Sequence, residues 1–137
     1  ENNIMFKMKK NIKNFLLISV IGDIDYIAAK FNSKFITKKL LKKENKNDLL
    51  VTNLLKFVKK NKIRMTKDMS ILVNLGPGSY SSLRIALSVA KGISIAKGSK
   101  IYGFKKKDLK EITLKNVEKL IKKNLLENKL IKPIYLS

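Results

Sequence analysis

Eleven residues, Leu75 to Ile85, constrain what this chain can fold into more than any others: Leu-Gly-Pro-Gly-Ser-Tyr-Ser-Ser-Leu-Arg-Ile. An apolar run, Ile71-Leu72-Val73, precedes them, and a long helix rich in small residues is predicted from near Ser82 to Lys97. A strand that passes through a glycine turn into a helix leaves unpaired amides at the helix start, ready for an anion or a partner. Gly76 and Gly78 permit the tight turn and Pro77 stiffens it. Ser79 and Ser81 both qualify as the helix N-cap. On spacing alone an ordinary capped strand-to-helix turn is the favoured reading, because short motifs match by chance.

The rest of the pattern gives this turn a setting. Phe15 to Ile21 is almost continuously apolar, as expected of a central strand buried on both faces. Gly22-Asp23 turns the chain, Ile24 to Phe31 returns, and Phe35 to Leu41 runs out with more lysine, which suits an edge strand. After a polar loop at Lys42 to Asn47, a helix with a wide apolar stripe (Leu50, Val51, Leu54, Leu55, Phe57, Val58) is predicted to end near Asn61. Met69 to Asn74 reads as a buried strand. Gly98 stops the second helix, Lys100 to Phe104 is a short strand, and a last amphipathic helix is predicted from Leu109 to Glu127. The order βββαβαβ, with that last helix, predicts an α/β fold in which an antiparallel meander is extended by parallel strands through helical crossovers.

Composition excludes several chemistries. The 137 residues contain no cysteine and no histidine, which removes disulfides, thiolate metal sites, cysteine nucleophiles and any Ser-His-Asp triad. No catalytic residue and no metal ligand set is therefore assigned. The net charge of +21 comes from 31 basic residues, of which only Arg64 and Arg84 are arginines. Fixed bidentate grip on phosphate or guanine favours arginine, so the scattered lysines read as solvated surface with a general attraction to RNA. Lysines ahead of Phe15 to Ile21 imitate a secretory signal, but the apolar run is short and lacks a small-residue cleavage site. No segment has the length of a membrane span, and a cytoplasmic protein without membrane contact is expected.

The helix from Ser82 to Lys97 is apolar around most of its circumference, with only Arg84, Lys91 and Lys97 charged. Such a helix needs cover on more than one side. Ala86, Ala90 and Ser94 form a small-residue seam that lets another helix approach closely. Either the chain's own helices or a second protein would supply the cover.

Gly76-Pro-Gly-Ser-Tyr-Ser-Ser-Leu-Arg-Ile85 followed by Ala90-Lys-Gly-Ile93 resembles the signature loop and second helix of the bacterial TsaB family, also called YeaZ. Phe15-Leu-Leu-Ile18, Lys100-Ile-Tyr-Gly103 and Pro133-Ile-Tyr-Leu136 are similar to the family's first strand, a later short strand and its C-terminal tail. The resemblance covers residues 14–104, the N-terminal lobe, plus the tail. It implies a ribonuclease-H-like fold of the actin and sugar-kinase clan, with residues 105–137 a linker, amphipathic helix and tail left from a second lobe that is mostly missing. It implies a non-catalytic, cofactor-free accessory subunit that binds a TsaD-like catalytic subunit and supports threonylcarbamoyladenosine modification of tRNA. A TsaE-like ATPase would join through the complex, a homodimer is possible, and tRNA would be met indirectly or weakly. The implied partner interface comprises Leu50, Leu54, Phe57, Ala86, Ala90, Ile93 and Ala96. Gly76, Pro77, Gly78, Ser79 and Arg84 form a degenerate phosphate-loop-like turn.

Two departures bear on activity. Where the family's first strand ends in Asp-Thr-Ser, this chain has Ser19-Val20-Ile21, without the carboxylate that would anchor a metal-nucleotide. The family's Phe-Thr-Gly in the loop is Tyr80-Ser81-Ser82 here. Two other readings remain open at this point: a small nucleotide-binding phosphotransferase or hydrolase using Ser19, Gly76, Gly78 and Ser79, and a basic RNA-binding module.

Overall fold

A computed structural model describes residues 11–22, 24–41, 47–128 and 131–134. Strands β1 (Asn14–Ser19), β2 (Asp25–Phe31) and β3 (Lys34–Leu40) form the antiparallel meander, and helix α1 (Asn47–Lys60) leads to β4 (Met69–Asn74). Helix α2 (Tyr80–Lys97) joins β4 to β5 (Lys100–Phe104), and α3 (Leu114–Lys122) follows a single 3-10 turn at Lys106–Asp108. The sheet order is β3-β2-β1-β4-β5, with β4 parallel to both β1 and β5. The mixed α/β sheet and element order are those expected from sequence.

The reason lies in β1. Leu16, Ile18 and Val20 face one side of the sheet, Phe15 and Leu17 the other, and all are buried. A strand apolar on both faces needs a layer above and below. Helices α1 and α2 cover the first face, packing Leu50, Leu54, Phe57, Ala86 and Ala90 onto β1 and β4. Helix α3 supplies the second cover through Val117 and Leu120, against Phe15, Leu72, Tyr102 and Phe104.

Local signals place the ends of α2. Ser79 Oγ accepts the amide of Ser82 at 3.2 Å, so the helix begins at Tyr80, two residues before the expected start. Gly98 adopts a left-handed conformation (φ 72°) and its amide donates to Ser94 O, closing the C-terminus as expected. The last helix differs more. Instead of Leu109 to Glu127 it spans nine residues, capped by Thr113 Oγ on the Asn116 amide and stopped where Asn124 turns left-handed. The chain beyond it pairs with the sheet: Gly103 and Glu127 exchange backbone hydrogen bonds of 2.7 and 2.8 Å.

Candidate functional site: the glycine loop and the outer face of the helix pair

The loop between β4 and α2 lies at the ends of the two parallel central strands. Asn74, the last residue of β4, is 3% exposed and spans the gap: its Nδ2 donates to Ser19 Oγ at 3.1 Å, and its Oδ1 accepts the Gly76 amide at 2.9 Å. The Gly78 amide donates to Ile134 O at 3.2 Å, and the Ser79 amide to Ile21 O at 2.9 Å. The Ile134 amide in turn donates to Leu75 O at 2.6 Å. Residues 131–134 thus lie against the loop, joined to it by backbone hydrogen bonds at Ile134.

This arrangement decides what the loop offers a ligand. A phosphate-binding turn presents successive backbone amides to its anion. Here the amides of Gly76, Gly78 and Ser79 already donate within the chain. Both glycines serve that packing. Gly76 has φ 94°, and a Cβ there would stand 2.6 Å from Ile134 O. A Cβ on Gly78 would stand 2.6 Å from Ile21 O. Pro77 is exposed at the rim. The tail's Pro133 and Ile134 are placed, whereas Tyr135 and Leu136 of its motif lie outside the described residues, as does Asp23 of the first turn.

At the end of β1, Val20 and Ile21 are buried apolar residues. A carboxylate does stand nearby, but it is spent on the turn: Asp25 Oδ1 accepts the amides of Ile21 (2.9 Å) and Gly22 (3.1 Å). Its role was not anticipated from sequence, although an Asp closing a Gly-containing turn is a recognisable signal. A cleft of about 720 Å³ opens beside Ser19 and Asn74, bounded opposite by Lys106, Lys107, Lys110 and Glu111. Among the described residues no group of three or more Asp or Glu side chains comes together as a metal site.

Arg84 sits apart from the loop with which the sequence grouped it. Five residues into the helix, its side chain turns outward; Nη1 donates to Tyr80 Oη at 2.7 Å, and the guanidinium lies 5.0 Å from the Tyr80 ring centroid. It borders a hollow of about 440 Å³ between α1 and α2, with Val51, Ile85 and Val89. Val51 and Val89 also border a longer groove of about 730 Å³, so the two openings are continuous. Leu55, Val58, Ile93 and Ala96 line that groove, and Arg64 and Lys97 stand at its far end.

The residues expected at a partner interface divide between two faces. Leu50, Leu54, Phe57, Ala86 and Ala90 are no more than 4% exposed and belong to this chain's own core. The small seam of α2 lets the helix seat closely on its own sheet. Ile93, half-buried, and Ala96, exposed, line the groove, and Leu54 reaches its floor from the core. The outward apolar residues are different ones. Of nine exposed large hydrophobic side chains among the described residues, five (Leu49, Val51, Leu55, Tyr80 and Ile95) lie on these two helices. Leu55 and Ile95 are 64% and 85% exposed. The helical layer therefore covers the sheet with one side and leaves an apolar surface on the other.

Two solved structures share this fold. YeaZ from Pseudomonas aeruginosa superposes with a TM-score of 0.61 at 14% sequence identity, over 68% of this chain and 44% of that one. A crystal structure of an uncharacterized protein with similarity to peptidase YeaZ, from the same organism, gives 0.61 and 14% over 68% and 43%. The chain spans less than half the length of either structure. No protein-family model and no curated protein matches the chain. The likeness is one of fold, and it is the ribonuclease-H-like fold implied by the motifs. No helix among the described residues is long and apolar enough to cross a membrane.

Proposed function

We propose that this protein is a non-catalytic accessory subunit that docks on a TsaD-like catalytic subunit in the cytoplasm and supports threonylcarbamoyladenosine modification of tRNA. The observation that carries the reading is the apolar groove between α1 and α2, left uncovered by the described residues. Exposed apolar surface of this kind marks a contact with another protein. The fold shared with YeaZ supports it, as do the motifs of the glycine loop. The chemistry would belong to the partner, with a TsaE-like ATPase entering through the complex. The test is co-purification with the host's TsaD-like protein, followed by measurement of the modified adenosine in tRNA after depletion of this chain. A stable complex and loss of the modification are expected. Absence of both would refute the reading.

The lysine-bordered cleft beside Ser19 favours a second reading, a small nucleotide-binding phosphotransferase or hydrolase. Against it stand the engaged loop amides and the apolar pair Val20 and Ile21. Calorimetric titration with ATP and magnesium separates the two: no saturable heat is expected, and saturation would favour the enzyme.

A further inference from the structure

The two arginines of this chain are 20 residues apart in sequence, yet both border the opening between α1 and α2, Arg84 at one end and Arg64 at the other. In a protein where every other cation is lysine, this placement singles out the groove. Arginine holds carboxylates through a planar fork of donors and is enriched where proteins meet. Neither arginine forms an ion pair among the described residues. The two salt bridges found, Lys30–Glu118 and Lys105–Glu127, lie elsewhere. The charged side chains that line the two openings are Arg84, Arg64 and Lys97, all cationic; the nearest carboxylates in sequence are Asp48 in the first turn of α1 and Asp68 beyond Lys67. The described lining is thus an apolar groove whose charged residues are all cationic.

We infer that the groove is built for an apolar helix of a different, acidic protein, whose carboxylates meet Arg84 at one end and Arg64 with Lys97 at the other. The inference rests on the docking reading above and specifies the partner's surface. Arg84 and Lys97 are 13 positions apart on α2, so the matching carboxylates lie roughly 20 Å apart, or about 13 residues along a helix. The same lining disfavours a second copy of this chain. Two copies of a groove whose lining charges are all positive repel when brought together, and juxtaposed like charges cost more than they contribute.

The test uses the full chain and two synthetic helical peptides of about 18 residues that share a leucine stripe and carry glutamate or lysine at two positions roughly 13 residues apart. The glutamate peptide is expected to bind at least tenfold more tightly than the lysine peptide. The double variant R64E/R84E is expected to reverse that preference; both side chains are exposed, and circular dichroism checks that the variant stays folded. Sedimentation of the chain alone at low salt is expected to give a monomer. Equal binding of the two peptides, no binding of the acidic one, or an unchanged preference in the double variant overturns the inference. So does a dimer that R64E/R84E leaves intact, or tighter binding of a single-stranded RNA oligomer than of the acidic peptide. A chain that prefers the acidic peptide but does not capture the TsaD-like subunit keeps this inference and refutes the docking reading. Capture of that subunit with unchanged affinity in R64E/R84E does the opposite.

Discussion

Gly78→Ala probes the packing of the glycine loop at its tightest point. The new methyl carbon would stand 2.6 Å from Ile21 O and 2.8 Å from Ile21 Cβ, about 0.8 Å inside ordinary contact at the carbonyl. Ile21 is 8% exposed and anchored by the Asp25 turn, so it has little room to retreat. Relief must come from displacing the loop, which stretches the Ser79 amide bond to Ile21 O and the Gly78 amide bond to Ile134 O. Each bond contributes about 1 kcal/mol net, more where its groups stay buried and unpaired, so the loss is about 2–4 kcal/mol. For a domain of this size that lowers Tm by roughly 6–15 °C. Gly92→Ala is the internal control. Gly92 is exposed within α2 and a Cβ there meets nothing within 4 Å, so helix propensity should add about 0.5–1 kcal/mol. Urea and thermal unfolding followed by circular dichroism, with the midpoints compared at constant m, read both effects. If the two variants shift in the same direction, or Gly78→Ala keeps the parental midpoint, the tight closure of this loop is refuted.

Three further outcomes are expected. Asp25→Ala leaves the buried amide of Ile21 and the part-buried amide of Gly22 without their acceptor and should cost about 1–3 kcal/mol; Asp25→Asn keeps an acceptor oxygen and should lose less than half as much in the same urea assay. Burial raises the pKa of the Tyr102 hydroxyl above its ordinary 10.0, so the folded chain holds that proton more tightly than the unfolded chain. Its contribution to stability is complete below pH 10 and declines as pH rises above it; phenolate absorbance should show a late ionisation that Tyr102→Phe removes. With a net charge of +21 and two ion pairs among the described residues, self-repulsion opposes folding. Raising salt from about 0.05 to 0.5 M should increase Tm; a decrease would show that favourable pairs outweigh the repulsion.

Helix rotation illustrates the limit of periodicity. Val51 and Leu55 are as apolar as Leu50 and Leu54, so a wide stripe cannot say which edge faces the sheet and which stays open. The same holds for α2, where Ala86 and Ala90 fit a close helix partner and a close sheet equally well. The glycine loop was legible as a turn but not as an occupied one. Its occupant, Ile134, lies 56 residues beyond Gly78, and no local preference encodes such a contact.

What the sequence determined by itself is what short-range forces set. A strand with consecutive apolar residues from Phe15 to Ile18 must be buried on both faces, which already demands a layered fold around β1. Ser79 and Gly98 mark the ends of α2 because their backbone and side-chain preferences act within one turn. The tertiary structure alone decided the rest. It turned the small seam of α2 inward, engaged the Gly78 amide with Ile134, ended α3 early, and drew Arg64 and Arg84 to one groove. Those outcomes depend on which surfaces meet across the sheet, and contacts between distant residues are settled only when the whole core packs at once.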